Sequence, residues 1–108
     1  GLTVFKLAVR KMIDMLDQAC ANREISSKNL DFIVPHQANE RIIEAIRKTI
    51  HCPVEKMFNH IEKYGNTSSN TIPIALEELL PSLASGNLIG LTAFGGGFTF
   101  GAAVIEKL

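Results

Sequence analysis

Two side chains in this sequence are best suited to chemistry. One is His36, following Pro35 at the end of the apolar run LDFIVPHQAN, and the other is Asn66, in the polar stretch YGNTSS. Each can donate a hydrogen bond to a developing oxyanion, so a converging pair stabilises an enolate or a tetrahedral intermediate. A neutral imidazole is also the usual proton-transfer group near pH 7. The two lie thirty positions apart, the length of one strand–helix–strand unit. If the strands before them are neighbours, about 4.8 Å apart, the side chains converge. The plain alternative is that His36 closes a strand and Asn66 caps a helix from a turn. The triplet Gly95–Gly97 lets a ligand approach backbone N–H groups, and so either completes an oxyanion hole or simply turns a hairpin. It is not a dinucleotide fingerprint, because the third glycine of G-x-G-x-x-G would fall at Phe100 and a strand follows.

The remaining reactive side chains carry less. Cys20 and Cys52 lack the strand-to-helix elbow and the electropositive setting of a nucleophile, and read as structural. His51, Cys52 and His60 are metal-ligand types without a fourth partner or a recognised spacing, so no metal site is assigned. Lys6, Arg41, Arg47 and Lys48 lie near the PHQAN segment or on the first helix, either as a solvated face or as a docking surface for a phosphate or an acidic protein.

These residues need elements to position them. Val4 to about Ala21 carries Phe5, Ala8, Met12, Met15, Leu16 and Ala19 at helical spacing, which predicts an amphipathic helix. Leu30–Pro35 reads as a short buried strand running up to the proline. Ala38 to Ile50 returns to helix, with Ile42, Ile43, Ile46 and Ile50 in one stripe and Asn39 and Glu40 in the first turn. Lys56–Ile61 is expected to be a strand, Tyr64–Ser69 a loop, and Ser68 to Leu80 a helix closed by Pro81 and Gly86. Leu88 to Ile105 holds no charged residue, but Gly90, Gly95, Gly96, Gly97 and Gly101 disfavour a membrane helix. Two strands covered on both faces, Leu88–Phe94 and Phe98–Glu106, fit the run better. The order predicts an α/β fold with parallel strands, right-handed helical crossovers and a final antiparallel return. In such sheets ligands bind beyond the carboxyl ends of the strands, where PHQAN, YGNTSS and AFGGG all fall.

Composition narrows the function classes. In 108 residues, 11 basic side chains balance 11 acidic ones, so no overall field draws in nucleic acid. At 46% hydrophobic the chain is rather apolar for a small domain, which points to a further packing partner. Two cysteines make no disulfide framework, and with no signal-like start the expected compartment is the cytoplasm. The first residue is Gly1, and the chain is expected to be a piece of a longer protein.

GLTVFKLAV at the start, DFIVPHQAN with Arg41 and Ile42, GNTS at Gly65–Ser68, and AFGGGFTFG at Ala93–Gly101 stand in one order and spacing. Along essentially its whole length the chain resembles the C-terminal half of 3-oxoacyl-[acyl-carrier-protein] synthase III. The resemblance implies a thiolase-like fold, with a mixed sheet of the five-stranded type and a final antiparallel strand. It also implies one half-domain spanning 1–108, an N-terminal half elsewhere that bears the nucleophilic Cys, and usually a homodimer. The implied reaction joins an acyl group from acyl-CoA with malonyl-acyl carrier protein by decarboxylative condensation, initiating fatty-acid biosynthesis, with no cofactor beyond the substrates. His36 and Asn66 match the catalytic His and Asn, and Gly96 an oxyanion-hole backbone N–H. Gly1, Phe5, Ala8, Ala38 and Asn39 match the pantetheine tunnel, and Phe94 an aromatic beside the acyl pocket. Lys6, Arg41 and Lys48 match the basic patch for acyl carrier protein. Two residues depart from the pattern: Glu40 replaces a usual apolar residue beside that patch, and Phe100 a frequent Trp. This fragment alone is expected to be inactive.

Two rivals stand beside this reading. A related thiolase-fold condensing enzyme of secondary metabolism would be distinguished by which acyl-CoA labels the complete enzyme. A non-catalytic carrier-protein-binding module would be favoured if no Cys-bearing first half accompanied this chain.

Overall fold

The computed structural model describes residues 2–36, 40–59, 76–95 and 99–108. Its first element, helix α1 (Leu2–Asn22), follows from the spacing of its apolar side chains. Ala8, Met12, Leu16 and Cys20 recur every fourth residue and are all buried, with Val9 beside them. The helix stops where Glu24 turns to φ 60°, and the N–H groups of Arg23, Glu24 and Ile25 satisfy the last carbonyls. A 3-10 turn, Ser27–Asn29, follows, with Ser26 and Asn29 capping each other's backbone.

Strand β1 (Phe32–Pro35) pairs in parallel with β2 (Leu88–Gly95), which pairs antiparallel with β3 (Thr99–Glu106), so the order among the described strands is β1-β2-β3. The parallel pairing and the antiparallel return are those expected from the sequence. Asp31 pins the start of the parallel pair, donating its backbone N–H to the Leu88 carbonyl at 2.9 Å and accepting the Leu88 N–H on its carboxylate at 2.8 Å. Helix α2 (Glu40–Thr49) lies between β1 and the turn that follows, burying Ile42, Ile43 and Ile46.

The sheet is covered on both faces, as its unalternating apolar strands require. On one face α1 and α2 pack Met12, Leu16, Ile43 and Ile46 against Ile33, Phe94, Phe100, Ala102 and Val104. On the other, Leu79 and Leu83 pack against Val34, Ile89 and Leu91. No helix among the described residues is long and apolar enough to cross a membrane.

One expected element differs. Lys56–Ile61 does not start as a strand, because Pro53, with φ −60°, leads Val54–Lys56 into a 3-10 turn. Among the described residues its sheet contacts are a parallel bridge between Met57 and Ile33 and a 2.9 Å bond from the Phe58 N–H to the Ile33 carbonyl; His60 and Ile61 lie outside them. That contact places Met57 and Phe58 beside β1. The helix expected over Ser68–Leu80 is described from Leu76, as a helical turn over 76–79 that tightens into a 3-10 turn, Leu80–Ser82.

Helix α2 ends on His51, held at φ 56° while the Cys52 N–H donates to the Arg47 carbonyl at 2.9 Å. Left-handed geometry is unfavourable for a residue with a Cβ and open to glycine. His51→Gly is therefore expected to stabilise the fold by about 0.5–1 kcal/mol, read as a higher thermal midpoint; a fall would mean that the imidazole makes a compensating contact.

Candidate active site

His36 sits directly after Pro35, at the carboxyl end of β1. Its backbone N–H continues the parallel ladder, donating to the Thr92 carbonyl at 2.8 Å. The half-buried imidazole packs on Phe94, with ring centroids 5.4 Å apart and planes inclined by 59°. Phe94 in turn packs on Phe100, its antiparallel partner, at 6.1 Å. Phe100 thus backs the aromatic that touches the histidine. Burial lowers the His36 pKa below the ordinary histidine range, so the ring is neutral at pH 7 and holds one N–H to donate and one nitrogen to accept. Such a group can hydrogen-bond an enolate oxygen without bringing a formal charge of its own.

Of the expected tunnel positions, Ala8 is buried, and Phe5 lies half-buried beneath the Arg41 guanidinium, 5.5 Å from the ring centroid. Gly1, Ala38, Asn39, Asn66 and Gly96 lie outside the described residues, and with them the expected convergence of His36 and Asn66. Arg41 and Lys48, seven positions apart on α2, share an exposed side of the helix. Lys6 lines a groove of about 470 Å³ between α1 and α2, floored by Phe5, Val9, Ile13 and Ala45. Of the three expected docking charges Lys6 lines that groove, and Arg41 meets its edge through the Phe5 ring. Arg47 is differently engaged, paired with Glu44 at 2.8 Å and donating to the Cys52 carbonyl at 3.2 Å. Glu40, the acidic departure beside the patch, accepts a 3.5 Å bond from Asn59.

Cys20 and Cys52 are free and buried. Burial pushes both thiols up, helped at Cys20 by the charge of Asp17 and opposed at Cys52 by Lys56 and Arg47. Neither is poised as a thiolate at neutral pH. Among the described residues no cluster of three or more His, Cys, Asp or Glu could hold a metal ion.

Thr92 is a residue the sequence reading passed over. It is a buried polar side chain in the core, 1% exposed, and its hydroxyl donates to the Met12 carbonyl at 2.7 Å. Its one local signal was a hydroxyl inside the otherwise apolar stretch LIGLTAF.

The model of the 3-oxoacyl-[acyl-carrier-protein] synthase III C-terminal family matches residues 20–107. Beta-ketoacyl-[acyl-carrier-protein] synthase III 1 of Bacillus cereus is 45% identical over 108 residues, covering 98% of this chain and 35% of that relative. Its counterpart in Bacteroides thetaiotaomicron is 40% identical over 106 residues, covering 98% of this chain and 32% of that relative. The crystal structure of the Thermus thermophilus beta-ketoacyl-[acyl carrier protein] synthase III superposes with a TM-score of 0.93 at 37% identity, over 100% of this chain and 34% of that one. The chain spans about a third of the length of the relatives it matches.

Proposed function

Because the chain belongs to the 3-oxoacyl-[acyl-carrier-protein] synthase III family and corresponds to its C-terminal part, we propose that it supplies the enolate-stabilising half of a decarboxylative condensing enzyme. The observation that carries this reading is His36, neutral and packed on Phe94 at the carboxyl end of β1. In the proposed reaction an acyl group passes from acyl-CoA to a Cys on the preceding part of the enzyme. Malonyl-acyl carrier protein then enters and loses CO2, and the C–C bond electrons form the enolate of its thioester. The ring N–H of His36 and the side-chain amide of Asn66 donate to that enolate oxygen. The enolate carbon attacks the acyl thioester, whose developing oxyanion meets the Gly96 N–H, and the Cys thiolate leaves. Both carbonyl partners arrive as thioesters, so the chemistry calls on no metal or further cofactor.

Phe5, Ala8, Ala38, Asn39 and Gly1 would line the pantetheine path, and Phe94 the acyl pocket. A cytoplasmic homodimer, each subunit joining this C-terminal part to the part that bears the Cys, is the assembly this reading entails, with the fragment inactive by itself. The test is release of labelled CO2 from malonyl-acyl carrier protein by the complete enzyme after acylation. Release supports the reading, and a correctly acylated enzyme that releases none overturns it.

Docking of the acidic carrier would fall to Lys6, Arg41 and Lys48. Arg41 is braced by the Phe5 ring, which limits the side-chain entropy lost on engaging a partner. Arg41→Glu is expected to raise KM for the carrier-bound substrate about tenfold or more while leaving KM for free acyl-CoA within about twofold. An unchanged carrier KM would dismiss the patch.

A further inference from the structure

We propose that Thr92 is a positioning residue for the condensation, a clamp whose hydroxyl holds α1 to the sheet at the rung whose carbonyl holds His36. The proposal rests on the functional reading above. Thr92 makes two bonds in opposite directions: its backbone carbonyl accepts the His36 N–H at 2.8 Å, and its side chain donates to the Met12 carbonyl at 2.7 Å. Valine would fill the same volume in a buried strand and suits β geometry as well, so packing alone does not call for a hydroxyl there. What the hydroxyl adds is directional. Met12 lies in the middle of α1, where its carbonyl belongs to the helical ladder, and a second bond to it fixes how far α1 can slide or rotate over β2.

The geometry of the two elements turns that bond into a register. An ideal Cβ on Gly90 would stand 2.9 Å from a Leu16 methyl, and two residues on, Thr92 meets Met12. Two residues of strand advance about 6.6 Å and four residues of helix about 6 Å, so the steps match. On the same spacing the Ala8 turn comes next along α1, and Phe94, the ring that touches His36, comes next along that face of β2. Ala8 and Phe5 carry the wall along which the substrate arm would travel, and His36 the group that meets its thioester. Thr92 holds these two surfaces in step. Misplacement by a fraction of an ångström between substrate path and donor lowers the rate far more than it lowers binding.

The test uses the complete enzyme with Thr92→Val, which keeps the shape and removes the donor, and Thr92→Ser, which keeps the donor. The readouts are acylation by acyl-CoA, decarboxylation of labelled malonyl-acyl carrier protein, and hydrogen exchange of the His36 amide. Thr92→Val is expected to lower kcat for decarboxylation about tenfold with acylation within about twofold, and to speed His36 exchange about tenfold. Thr92→Ser should bring both back to within about twofold of the parent. Wild-type decarboxylation and exchange in Thr92→Val overturn the clamp. So does an equal fall in both half-reactions that Thr92→Ser fails to rescue, since a loosened fold alone would produce it. If the parent enzyme releases no CO2, the functional reading falls, and exchange at His36 decides the clamp alone: faster in Thr92→Val upholds it, unchanged overturns it.

Discussion

In the complete enzyme, His36→Ala is expected to lower malonyl decarboxylation by about 10²–10³-fold while leaving acylation by acyl-CoA measurable and within about threefold. The split follows from where His36 stands. Its ring packs on Phe94 at the end of β1, and in the proposed reaction it meets the malonyl thioester, whereas the acyl group is received by a Cys on the preceding part of the enzyme. The same geometry sets the pH dependence. Burial holds the imidazole neutral below the ordinary value of about 6.5. Decarboxylation should therefore stay level as pH falls through that value and decline only at the lower pKa of the folded ring, where the imidazolium replaces the neutral donor. Stability changes with the same sign. The unfolded chain takes up the proton first as pH falls, so the contribution is fully present above about pH 6.5 and is lost as pH falls through the folded pKa. His36→Gln, which keeps an N–H donor but cannot titrate, should retain part of the rate and lose that acid limb. Equal loss of acylation and decarboxylation in His36→Ala would instead make the residue structural.

Much of this arrangement was legible because it is written in local periodicity. The four-residue recurrence of Ala8, Met12 and Leu16 predicts the buried face of α1, and the uncharged run from Leu88 predicts strands covered on both faces. Pro35 marks the end of β1 and so the position of His36. The departure at Lys56–Asn59 has a local cause too. Its apolar residues suit a strand, but Pro53 just before them presets a helical turn, and among the described residues Met57 and Phe58 alone reach Ile33. What no local pattern carries is a bond between residues distant in sequence. Thr92 and Met12 are 80 positions apart, and a lone threonine in an apolar strand says nothing about which carbonyl it will meet. The ends of α1 and α2, read at about Ala21 and Ile50, fall within a residue of Asn22 and Thr49, although Glu24 and His51 occupy the left-handed positions where glycine is the usual signal.

Gly90→Ala is expected to lower the unfolding free energy by about 1–3 kcal/mol, seen as a lower denaturation midpoint in urea with an unchanged slope. An ideal Cβ at Gly90 would lie 2.6 Å from one methyl of Leu30 and 2.9 Å from one of Leu16. Methyl ends of leucines can usually swing aside, but here both side chains are fully buried, at 1% and 0% exposure, and lie in the core that α1 closes. Their movement must be passed on to neighbours already at close packing. Gly101 provides the internal control. It also lies in a strand, but an added Cβ there meets nothing within 4 Å, so Gly101→Ala should gain about 0.5–1 kcal/mol from the more restricted backbone. The contrast bears on function as well as stability, because Gly90 is the rung below Thr92 on the same face of β2. A methyl at Gly90 lifts α1 away from the sheet next to the Thr92–Met12 bond, so the activity lost in Gly90→Ala should fall on decarboxylation before acylation. A midpoint as high as the parent's would mean that Leu16 and Leu30 repack freely, and that α1 is not held against β2 as tightly as its contacts require.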